Sequence, residues 1–115
     1  MRRAAIIGTA VFLLAGPSFA QDAAMLEKGR KVYDATMPKC GMCHSIAGKG
    51  NAKGPLDGVG DRLTAEDTKA WMRTPKQMTE KTKAARKPNM PAYPQEKLSD
   101  EDLAALTAYM LSLKS

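Results

Sequence analysis

The sequence predicts an all-α fold, about three to four helices joined by long loops, and three observations carry that reading. Thr64 and Ser99 are each followed three residues later by an acid, Asp67 and Asp102, which is the pattern of a capped helix start. Leu103, Leu106, Met110 and Leu113 recur at helical spacing. No segment shows the alternating, β-branched run that a strand requires.

Residues 1–20 read as a cleavable secretory signal peptide. Arg2 and Arg3 form its basic start, Ala4 to Gly16 is uncharged and largely apolar, and Pro17-Ser18-Phe19-Ala20 ends in a small-x-small pattern suited to cleavage before Gln21. The apolar run falls short of the roughly 20 residues that span a bilayer, which favours cleavage over an uncleaved membrane anchor. No later segment is apolar enough to span. Residues 21–115 are then expected to form a single exported domain, periplasmic in a bacterium. Loss of two arginines and no acid lowers the formal charge from +6 to +4. A mildly basic chain outside the cytoplasm argues against nucleic acid as a partner.

Asp22 is placed to cap a first helix reaching roughly Thr36, with Leu26, Gly29 and Tyr33 on one face and Pro38 beyond its end. Glycine inside a helix costs about 1 kcal/mol relative to alanine, so Gly29 either lets another backbone approach closely or is merely tolerated. Ser45 to Gly60 reads as a glycine-rich wrapping loop. Its Gly58-Val59-Gly60-Asp61 string is no dinucleotide fingerprint, because no strand precedes it. The second helix starts at Thr64, carries Trp71 and stops at Pro75. A basic segment follows, with Arg73, Lys76, Lys81, Lys83, Arg86 and Lys87 against Glu80, and a short helix is placed within it. Pro88, Pro91 and Pro94 then impose an extended loop. Ser99 opens the last helix, with Asp100, Glu101 and Asp102 at its positive end and Leu98 and Leu103 as a hydrophobic staple.

The chemistry-bearing string is Cys40-Gly41-Met42-Cys43-His44, which holds both cysteines and the one histidine of the chain. C-x-x-C-H is the attachment signature of c-type haem: two thiols add across the two vinyl groups, and the adjacent imidazole ligates the iron. With no other cysteine or histidine, one haem is expected, and His44 is its proximal ligand. A redox dithiol would sit after a strand in a βαβ unit, and none is present. Structural zinc needs four ligands, one more than two cysteines and one histidine supply. A Cys40–Cys43 disulfide would close too small a loop to stabilise much.

The sixth iron position decides what the haem is for. Met42 lies inside the motif and Met37 too near it; Met25 and Met110 occupy helices that need apolar residues, and Met72 sits beside Trp71. Met78 and Met90 are the loop candidates. Met90 is preferred as distal ligand, because Pro88 and Pro91 stiffen the backbone on both sides and can present a thioether with little reorganisation.

The chain resembles a small bacterial class I cytochrome c. Gly29 and Tyr33, the C-G-M-C-H string, Gly54-Pro55-Leu56, Trp71, the N-M-P-A-Y loop, and Leu106 with Tyr109 carry the resemblance across nearly all of residues 21–115. It implies an all-α fold wrapped around one covalent haem. It also implies that Gly29 packs closely on the Leu106–Tyr109 face and that the Pro55 carbonyl accepts the second ring N–H of His44. Trp71 is expected beside a haem propionate. The function implied is a soluble, monomeric one-electron carrier, not an enzyme, exchanging electrons with periplasmic or membrane redox proteins. The basic segment 73–87 is a candidate docking face for acidic partners. The alternatives are a haem protein with an open sixth position, for gas binding or peroxide reduction, and a C-x-x-C thiol–disulfide oxidoreductase.

A domain this small with so few aromatic residues lacks material for a core of its own. The haem-free chain is therefore expected to be largely unfolded. Circular dichroism and a thermal melt of haem-free protein check this, and a compact, cooperatively melting apoprotein contradicts it.

Overall fold

The computed structural model describes Gly8 and residues 19–115, with side chains described from Asp22 onward. The leader read at 1–20 lies outside the described residues except for Phe19 and Ala20, which open the first helix. Four helices follow one another: α1, Phe19–Ala35; α2, Ala65–Arg73; α3, Pro75–Thr82; and α4, Asp100–Ser112.

Helix α1 starts before Asp22, so Asp22 lies in its first turn and does not cap it. Ala20, Gln21, Ala23 and Ala24 all favour helix, and nothing in them stops propagation toward the N-terminus. Asp22 still faces the positive helix end. At the other end the Thr36 backbone N–H and hydroxyl both donate to the Val32 carbonyl, at 2.9 and 2.7 Å, before Pro38 turns the chain.

Helix α1 crosses α4 at Gly29. A β-carbon there would fall on the Ala105 carbonyl oxygen and 2.6 Å from Tyr109 Cβ, so the two backbones touch. One turn further, Tyr33 meets Tyr109 edge to face, with ring centroids 6.2 Å apart and planes at 70°. The close packing implied by the family resemblance is thus present, with Ala105 supplying the backbone contact.

The Ser and Thr caps act as their sequence patterns require. The Thr64 hydroxyl accepts from the Asp67 N–H at 3.1 Å and Ser99 from that of Asp102 at 3.2 Å. Leu98 and Leu103 are both buried, as a staple across the start of α4 demands. Pro75 both ends α2 and opens α3, where its missing N–H costs nothing. Lys83, at φ 56°, closes α3 in the left-handed region.

The segment read as plain loop contains a small hairpin. Strand β1, Ser45–Ile46, pairs antiparallel with β2, Lys49–Gly50. Its two turn residues, Ala47 and Gly48, have φ of 51° and 80°, the backbone that matches strand twist in a two-residue hairpin. Ala-Gly is a weak signal for that turn beside Asn-Gly, and the strands are too short to show alternation.

Leu98, Leu103, Leu106, Met110, Val59, Met72 and Tyr93 form the centre of the core, with Tyr33 and Cys40 at its edge. Arg73 binds the last third of the chain to α2. Its guanidinium donates to the Tyr93 and Leu98 carbonyls, at 2.7 and 2.6 Å, to Gln95 Oε1 at 3.1 Å and to Asp100 Oδ1 at 2.9 Å. Among the described residues no helix is long and apolar enough to cross a membrane.

Gly29→Ala is expected to destabilise the folded protein by up to about 2 kcal/mol, the roughly 3 kcal/mol upper cost of overpacking less the roughly 1 kcal/mol alanine gains in helix propensity. Denaturant midpoints of the two proteins check this; an equal or higher midpoint in the variant contradicts the tight crossing.

Candidate haem site

Pro38 ends the approach to the site, and Cys40–Met42 then form one short helical turn. The Cys43 and His44 N–H groups both donate to the Cys40 carbonyl, at 3.1 and 2.8 Å. Residues at i, i+3 and i+4 of such a turn share a face, so Cys40, Cys43 and His44 all line one cavity of about 290 Å³. Both cysteines are free thiols. Burial pushes Cys40 up to about 11 from its usual range, with the Cys40 backbone opposing and Asp34 adding to the shift. A redox-active C-x-x-C needs the opposite, a lowered thiol pKa.

His44 Nδ1 lies 3.0 Å from the Gly54 carbonyl oxygen. Because a carbonyl only accepts, Nδ1 carries the proton and Nε2 keeps its lone pair free for a metal. Desolvation lowers the His44 pKa, the Gly54 bond opposes this, and the nearby Arg86 guanidinium adds to the lowering. The neutral, metal-binding form is therefore the favoured one.

The oxygen that orients His44 is Gly54's, one residue before the Pro55 carbonyl implied by the family resemblance. The backbone explains the correction. Ser45 N–H donates to Gly54 O at 3.0 Å and Leu56 N–H to Ser45 O at 2.8 Å, a parallel bridge that turns the Gly54 carbonyl toward the imidazole. Pro55 is exposed and does not line the cavity.

Met90 lines the same cavity as Cys40, Cys43 and His44, together with Pro88, Asn89 and Pro91. Met78, the other loop candidate, is instead a buried residue within α3 and lies outside the lining. Met72 and Met110 do reach the cavity, each from a regular helix, α2 or α4. Trp71 lines it too and is half-buried. Tyr93 joins the Met90 loop to the motif: its N–H donates to Met72 O at 2.8 Å and its hydroxyl to Pro38 O at 2.6 Å. Sequence pattern marked Tyr93 only as part of N-M-P-A-Y; its two bonds arise from tertiary approach.

The basic segment divides in two. Arg73 is committed to the bonds described above, and the Arg86 guanidinium donates to the Cys43 carbonyl. Lys76, Lys81, Lys83 and Lys87 remain exposed.

A flat apolar group held by two thioethers fits this cavity. Its lining is mostly apolar, with Leu56, Val59, Leu63, Met72 and Met110 beside the two thiols and the imidazole. Tyr33 lines the same cavity and its hydroxyl is buried without a hydrogen-bond partner, as a polar group is when part of its surroundings is still to be filled.

Burial pushes both Tyr33 and Tyr93 up to about 12 from an ordinary 10.0, with neighbouring charges adding to it. A phenol harder to ionise when folded stabilises the fold fully below pH 10 and withdraws that support as pH climbs toward 12. Stability is therefore expected to fall across that window, with phenolate absorbance rising as structure is lost. Phenolate appearing near pH 10 in fully folded protein contradicts this.

Residues 26–114 match the cytochrome c family. The chain is also similar to cytochrome c oxidase subunit 2 of Alkalihalophilus pseudofirmus, 33% identical over 99 aligned residues. That alignment takes in 78% of this chain and 26% of the relative, so the chain spans about a quarter of that protein's length. No solved structure matches it. The family match covers every cavity-lining residue, from Tyr33 to Met110. The chain belongs to the cytochrome c family, whose members carry covalently bound c-type haem and transfer electrons.

Proposed function

We propose that this chain is a one-electron carrier holding one haem through Cys40 and Cys43, with His44 and Met90 as axial ligands. The observation that carries the reading is that these four residues line one apolar cavity while Met78 does not. When bound, the haem supplies an iron centre that takes up and releases a single electron. His44, its Nδ1 proton fixed on Gly54, offers Nε2 in a set orientation. Met90, on its proline-stiffened loop, offers a thioether whose position changes little with oxidation state, and thioether ligation raises the potential. The apolar lining keeps water from the ligands. Trp71 stands at the wall where a propionate is expected.

The address proposed is export to the periplasm after cleavage of residues 1–20, as a monomer whose partners are redox proteins. Lys76, Lys81, Lys83 and Lys87 support an acidic partner surface and association that weakens as salt rises. The likeness to part of an oxidase subunit supports a second reading, in which the chain works inside a larger oxidoreductase. Co-purification from native membranes separates the two.

Protein expressed with haem-maturation machinery is expected to show a sharp reduced α-band and the weak far-red ferric band of Met–Fe. Met90→Ala is expected to abolish the far-red band and open the iron to carbon monoxide, while Met78→Ala leaves both unchanged. Loss of the band in the Met78 variant alone overturns the ligand assignment, and absence of covalent haem overturns the function.

A further inference from the structure

Met90 sits on an arm, residues 84–91, that runs from the end of α3 back to Tyr93. Tyr93 fastens the far end through its bonds to Met72 and Pro38. Between those ends the arm has little to hold it. Residues 84–89 and Pro91 are exposed, and the Lys87–Asn89 side-chain bond stays within the arm. Among the described residues, the bond from Arg86 to the Cys43 carbonyl is the one that ties residues 85–92 to the opposite side of the cavity.

That bond is built into its surroundings. The guanidinium also lies over Gly54, where a β-carbon would come within 2.8 Å of Arg86 Cζ and would strike the Cys43 carbonyl. The seat for Arg86 therefore exists because residue 54 has no side chain. Its two walls are the backbone of the C-x-x-C-H turn and the residue whose carbonyl orients His44. Arg86 itself lines the mouth of the cavity.

We propose that Arg86 is a positioning residue for Met90: by clasping the arm to the Cys43 carbonyl, across the seat at Gly54, it holds the arm shut over the cavity. The proposal rests on the reading of Met90 as the axial ligand. Breaking the clasp leaves Met72, Met110 and both cysteines in place but lets the arm swing out with Met90, so an external ligand competes more easily with the thioether. Arginine suits the task better than lysine, whose single point charge lacks the planar fork that fits between two backbone segments.

The test uses haem-loaded protein and titrates imidazole against the far-red band, in the unmodified chain and in Arg86→Gln, Arg86→Lys and Lys81→Gln. Loss of a charge-assisted hydrogen bond is expected to raise imidazole affinity about tenfold in Arg86→Gln. Arg86→Lys is expected to fall between, and Lys81→Gln, which removes a charge from α3 alone, to match the unmodified protein. Unchanged affinity in an Arg86→Gln protein that retains covalent haem and normal helical circular dichroism overturns the clasp. A far-red band missing from the unmodified protein marks failure of the Met90 reading instead. In that case hydrogen exchange of residues 85–92 decides for the arm: faster exchange in Arg86→Gln upholds the clasp, and equal exchange overturns it.

Discussion

Contact between two backbones, where α1 crosses α4 at Gly29, is the constraint on which the rest of the structure depends. It places Tyr33 against Tyr109 and so sets one wall of the cavity. Helix α4 passes that placement on in both directions. Its start is tied to α2 by Arg73, and the chain just beyond its end is tied to the glycine-rich loop, where Gly60 N–H donates to Leu113 O at 2.9 Å and Lys114 Nζ to Gly60 O at 2.8 Å. The loop that orients His44 and the helix that carries Met72 are therefore referred to the same rod.

Around that rod the site divides its labour by secondary structure. A single helical turn brings both thiols and the imidazole to one face, a short hairpin and its parallel bridge supply the carbonyl that fixes the imidazole, and a proline-rich loop brings Met90 to the cavity. None of the three is a long regular element. Precision comes from hydrogen bonds at their ends, and several of those bonds run from a side chain to a backbone carbonyl: His44 to Gly54, Tyr93 to Pro38, Arg86 to Cys43. Carbonyls are fixed by the chain itself, so such bonds position loops without needing a second ordered side chain.

What was legible in the sequence was whatever rests on local chemistry. The caps at Thr64 and Ser99, the C-x-x-C-H turn and the break at Pro75 each follow from a few adjacent residues, and each stands where it was read. Reading failed where adjacent residues overrode a local preference and where the answer depended on a partner elsewhere in the chain. Asp22 looked like a cap because capping residues are recognised by type, yet the alanine-rich residues around it let α1 start earlier. Pro55 and Gly54 differ by one position, and only the bridge to Ser45 decides which carbonyl reaches His44. Arg73 and Arg86 read as members of the basic candidate docking segment because bonds to backbone carbonyls, at Tyr93, Leu98 and Cys43, leave no mark in a sequence. The prolines that flank Met90 and not Met78 are a local signal, and Met90 lines the cavity while Met78 does not.

The crossing at Gly29 also divides α1 into two mechanical halves. Beyond it, Tyr33 reaches the cavity; before it, Asp22, Ala23, Ala24 and Met25 are exposed and touch none of the lining. The first turns of the helix therefore behave as a handle. A linker, a surface anchor or a second protein module joined there would lie across the crossing from the cavity-lining residues. This gives the fold an attachment point at which redox chemistry and tethering can vary independently.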